Sequence, residues 1–128
     1  MKMKSFLLVA IVAAMAVLAC GQVGGNDYTF AGGPFTITRP NNTTWTYSIY
    51  YSPSSLTRSG DIVTFTYETI TSGSPTNFYQ NHVNCQTRQY TVAKYDTSVT
   101  PAVLSTPSEW RDIQPNTAGP VLQAIVCR

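Results

Sequence analysis

The sequence predicts an α+β fold: a twisted antiparallel β-sheet covered on one face by a short C-terminal helix, with a disulfide tethering the helix to the sheet. Three observations predict it. Apolar and polar residues alternate with period two through residues 43–51 and 62–71. The apolar period lengthens to that of a helix over residues 117–126. Cysteines stand at 85, inside alternating sequence, and at 127, just past the helical run.

In chain order, residues 1–19 read as an export signal. Lys2 and Lys4 make a positive start, and the apolar run from Phe6 to Ala19 has no polar face and falls short of the ~20 residues that span a bilayer as helix. Val17-Leu18-Ala19-Cys20 resembles a bacterial lipobox, which makes Cys20 the candidate for lipidation and a membrane, reached through that lipid, the first expected partner. Ordinary cleavage after Ala19 is the alternative. Residues 20–34 carry five glycines after Cys20 and are expected to form a flexible tether with a span of ~20 Å, docking of Tyr28 and Phe30 on the domain being the other reading. Residues 35–128 then form one domain.

Within that domain, residues 43–51 place Trp45, Tyr47, Ile49 and Tyr51 on one face of a strand. Ser52-Pro53-Ser54-Ser55 breaks it, and Arg58-Ser59-Gly60-Asp61 turns the chain into Ile62–Thr71, where Val63, Phe65 and Tyr67 share a face. Residues 82–95 read as one long strand or two. Val83 and Cys85 lie on one parity and Tyr90 and Val92 on the other, which suggests a bulge near Arg88 or Gln89. Pro101 assigns residues 99–105 to a sheet edge or bulge. Thr117 offers a helix N-cap, Pro120 is tolerated in the first turn, and Val121, Leu122, Ile125 and Val126 fall on one helical face; a strand over the same residues competes.

Cysteine arithmetic connects the two ends of the argument. If Cys20 carries lipid, Cys85 and Cys127 remain as one pair in an oxidising compartment, and a bridge between them would stabilise the domain by roughly 4 kcal/mol in the chain-entropy model. Charge is sparse, with 8 Lys and Arg against 6 Asp and Glu, an 11% charged share where roughly 25% is usual. Lys2 and Lys4 belong to the signal, so the chain beyond Ala19 is neutral. Nucleic acid is thereby excluded as a partner, since phosphate recognition needs clustered cations.

Catalytic patterns are lacking. His82 is the single histidine, read as a surface or edge-strand residue, and the six carboxylates show no paired spacing for acid–base or calcium chemistry. Neither a phosphate loop nor a dinucleotide fingerprint occurs, so no cofactor is expected and the chain does not read as an enzyme. Tyr47, Tyr50, Tyr51, Tyr67, Tyr79, Tyr90 and Tyr95 are the suggestive set, because a sheet face covered by tyrosines is amphipathic and suited to recognition. Tyr50, opposite in parity to Trp45 and Tyr47, is expected to be the exposed one, with cross-strand packing as the alternative for the set. Trp110 and Arg111 join it as a candidate binding surface; the competing reading puts Trp110 over the core beneath the helix.

The order of features resembles the surface-adhesin protein E family of Gram-negative bacterial lipoproteins. The matching residues are the early strand from Trp45 to Tyr51, then Ser55-Leu56 and Arg58-Ser59-Gly60-Asp61-Ile62-Val63. Val83-Asn84-Cys85-Gln86-Thr87-Arg88 comes next, with Tyr90 and Tyr95 beyond it, then Ser108-Glu109-Trp110-Arg111-Asp112-Ile113-Gln114-Pro115, and finally Leu122 through Val126-Cys127. The resemblance implies a disulfide-tethered helix on an antiparallel sheet, exposure at the outer membrane or cell surface, and adhesion to protein ligands of the extracellular-matrix type. A periplasm-facing lipoprotein that inhibits an enzyme or supports the envelope is the other expectation, and a homodimer stays open.

Overall fold

The computed structural model describes residues 27–72, 74 and 76–128; the expected signal, Cys20 and the start of the expected tether lie outside the described residues. Strands β1 (Thr29–Thr38) and β2 (Thr44–Tyr51) are followed by a 3-10 turn, Pro53–Ser55, and by β3 (Thr57–Ser59). Then come β4 (Ile62–Thr71), β5 (Asn77–Asn84), β6 (Gln89–Asp96), β7 (Val103–Leu104), β8 (Arg111–Asp112) and the helix α1 (Ala118–Val126). The strands form one curled antiparallel sheet in the order β1-β2-β4-β5-β6-β7, with β3 added to β4 and β8 to β6.

Strand alternation decides which face becomes the core. Ile49, Val63, Phe65 and Val83 share one face, and Val63 stands opposite Val83 in register. Leu122 and Val126 of α1 close over them, and all six are buried. Full burial of a side chain such as Phe65 stabilises by about 1.5–3 kcal/mol. The helix starts at Thr117, whose hydroxyl accepts from the Gly119 amide at 3.2 Å, and it runs to Cys127, whose N–H reaches the Gln123 carbonyl at 2.9 Å. Cys127 is bonded to Cys85 with the Cα atoms 5.6 Å apart, so the helix is covalently pinned to the end of β5.

Three local expectations are corrected. The segment expected as a tether is a strand from Thr29 onward. Ala31 and Phe35 pack against the core, and Gly32 passes so close beneath α1 that a Cβ would stand 3.1 Å from Val121 Cγ1. The glycines that read as flexible therefore serve close approach and the irregular register between Phe30 and Phe35. Second, the parity change near Arg88 is a chain reversal and not a bulge. The Asn84 side-chain oxygen accepts from the Gln86 and Thr87 amides at 3.0 Å each, and Arg88 at φ +59° completes the turn from β5 into β6. Third, the edge strand expected over 99–105 shrinks to Val103–Leu104, with Pro101 before it. The pairing with β6 is extended instead by Ser105 and Ser108, whose amides donate to the Lys94 and Val92 carbonyls.

Candidate functional site

Because α1 covers only part of its sheet face, the remainder stays open as a trough of about 450 Å³. The register builds it. Tyr67 of β4 stands opposite Tyr79 of β5, and their rings stack with centroids 5.2 Å apart and planes inclined by 20°. Trp45 and Tyr47, two residues apart on β2, continue the aromatic surface at 6.2 Å, and Tyr90 adds to it from β6. Between the rings lie Thr69, Thr71 and Asn77, with Ser72 and Ser74 at one end.

The trough runs on beneath the helix. A second cavity of about 200 Å³ is lined by Asn81, Val83, Ile113, Ala118 and Leu122, and it shares Tyr47, Tyr67 and Tyr90 with the first. Burial pushes the Tyr67 hydroxyl well above the ordinary phenol range, and proximity to Tyr79, Tyr90 and Tyr47 adds to the effect. Burial raises Tyr47 as well, partly offset by the Ala118 amide against its oxygen. Both hydroxyls thus stay protonated, able to donate and to accept.

Arg39 supplies the cation in the trough lining, and no carboxylate is among the described lining residues. Its guanidinium lies over the Trp45 ring, 5.2 Å from the centroid. The Trp45 indole N–H is buried and finds no acceptor among the described residues, a state that costs about 1–3 kcal/mol.

The sequence-predicted site residues are not brought together. Tyr50 is half-buried on the opposite sheet face, beneath Phe30. Arg111 lies on β8 beside Tyr90, with β4 and β5 between β2 and β6, so Tyr50 and Arg111 share no surface. Trp110 is 44% exposed and outside the core; the residue that packs there, and against which a Cβ on Gly119 would collide, is Ile113. His82 sits within β5, neither at an edge nor fully exposed, and its Nδ1 pairs with the Thr64 hydroxyl at 2.9 Å.

Tyr79 belongs to the tyrosine set that the sequence singles out, but its place in a strand was not legible, because β5 was expected to begin at His82 and begins at Asn77. The signal was present in Phe78-Tyr79, two strand-favouring aromatics directly after a polar loop. Among the described residues no group of three or more His, Cys, Asp and Glu could hold a metal ion, and no helix is long and apolar enough to cross a membrane. No family model, no curated protein and no solved structure matches the chain.

Proposed function

We propose that this chain is an exported, lipid-anchored binding module of the bacterial envelope, of the surface-adhesin protein E kind, and that it holds its ligand in the aromatic trough. The observation that carries this reading is the trough itself: a sheet face of stacked and tilted aromatics with neutral hydrogen-bonding side chains between them, left uncovered by the helix that covers its neighbours. Cys20 in its lipobox-like setting supports the anchor, and the disulfide suits an oxidising compartment.

Intact cells test orientation and binding together. Protease shaving removes the domain if it faces outward, and full protection overturns surface exposure. Fatty-acid labelling marks the wild type and not Cys20→Ala. Capture of matrix proteins by the full chain falls in Arg39→Ala and Thr69→Ala, both at the trough, and is unchanged in Trp110→Ala and Arg111→Ala; the opposite pattern refutes the trough as the site.

A further inference from the structure

We propose that the trough takes a neutral oligosaccharide. This rests on the reading of the trough as the binding site and names what it grips. Pyranose rings present weakly positive C–H faces and a perimeter of hydroxyl groups, so they need two things from a protein: electron-rich ring faces and groups that both donate and accept hydrogen bonds.

The trough provides both along one surface. Trp45, Tyr47, Tyr67, Tyr79 and Tyr90 line it with aromatic rings drawn from four strands of the sheet, Tyr67 and Tyr79 stacked on each other and Trp45 covered on one side by Arg39. Thr69, Thr71 and Asn77, with Ser72 and Ser74 at one end, supply hydroxyls and an amide, each able to act in either sense. A proline-rich peptide lacks most backbone N–H groups, presents mainly carbonyl acceptors and would match a lining of donors; this lining is dual in character. Electrostatics narrows the choice. With one guanidinium and no carboxylate among the described lining residues, the lining does not repel a neutral ligand and lacks the clustered cations that hold a polyanion. The volume of about 450 Å³ lies within the roughly 300–1,000 Å³ of sites that enclose small ligands, which suits a short oligosaccharide.

The chain contains two tryptophans, Trp45 in the trough and Trp110 outside it, so Trp110→Phe makes Trp45 the sole indole reporter. The full chain, purified in detergent, is titrated with cellotetraose, maltotetraose and chitotetraose while Trp45 emission is recorded. A saturable change with at least one of them is expected, weakened at least about tenfold by Thr69→Ala and by Asn77→Ala in variants with an unaltered circular dichroism spectrum. Silence with all three sugars overturns the proposal, and so does binding that both substitutions leave intact, or saturable binding of a proline-rich decapeptide in their place. If matrix-protein capture still depends on Arg39 and Thr69 while every sugar is silent, the binding module stands and its glycan ligand falls; if neither depends on the trough, both fall.

Discussion

Phe30 lies edge-on over Tyr50, ring centroids 5.4 Å apart and planes at 70°, so a residue from the glycine-rich N-terminal stretch roofs the tyrosine expected to be most exposed. The pairing is a cross-strand one, and contacts of this type contribute about 0.5–1.5 kcal/mol beyond the area they bury. Phe30→Ala is therefore expected to lower stability by about 1 kcal/mol in urea unfolding and to raise the solvent accessibility of Tyr50. A flexible tether over the same residues would leave both quantities unchanged.

Gly33 gives a sharper test of the same strand. Its φ of +119° is a conformation that L side chains rarely adopt, and a Cβ there would stand 2.9 Å from Ser48 Cα and 3.0 Å from the Tyr47 carbonyl oxygen. Both obstacles are backbone of β2 and cannot move aside cheaply. Gly33→Ala is expected to destabilise by about 1–3 kcal/mol and to loosen β1, read as faster amide exchange at Ile37 and Tyr47. Gly60→Ala, with open space around its Cβ position, isolates the backbone cost of a positive φ alone and should be the milder change.

The two glycine substitutions also show why β1 was hidden. Period-two alternation reads strands whose side chains pack, as in Ile62–Thr71, where Val63, Phe65 and Tyr67 were legible and are where the pattern puts them. β1 packs through what it lacks, since Gly32 admits Val121 and Gly33 admits β2, and an absent side chain leaves no periodic signal. The helix was legible because its N-cap, its apolar face and Cys127 agree. The trough was half-legible. The parity of Trp45 and Tyr47 was in the sequence, while the stacking of Tyr67 on Tyr79 depends on a cross-strand register that no single segment encodes.

Removing the Cys85–Cys127 bridge should loosen one element first. The bond spans a sequence separation of 42, for which loop-closure entropy gives about 4 kcal/mol. Cys85→Ala with Cys127→Ala is expected to lower the unfolding free energy by up to this amount, with α1 losing amide protection before β4 and β5 do. Leu122 and Val126 still bury without the bond, so the helix frays at equilibrium and does not vanish. A double variant as stable as the wild type would show that the bridge adds nothing to the packing.

Acidification should act on two carboxylates with opposite signs. Asp27 accepts from the Ser52 hydroxyl at 2.7 Å and from the Ser54 hydroxyl and amide at 2.8 Å each, which holds its pKa below the ordinary 3.8. A depressed folded-state pKa means stability that is present above 3.8 and lost as pH falls through the lower folded value. Glu68 stands between Tyr50 and Phe78 in register, and burial raises its pKa above 4.5. Its ionised form is the disfavoured one in the fold, so it penalises stability above the raised value, and the penalty disappears as pH falls below 4.5. At neutral pH, Glu68→Gln is thus expected to raise the urea midpoint and Asp27→Asn to lower it. As pH is lowered stepwise, the Glu68→Gln curve should meet the wild type first, below 4.5, and the Asp27→Asn curve only below 3.8. Convergence in the reverse order, or a Glu68→Gln variant less stable than wild type at neutral pH, would mean that Glu68 is held by a favourable partner and not merely buried.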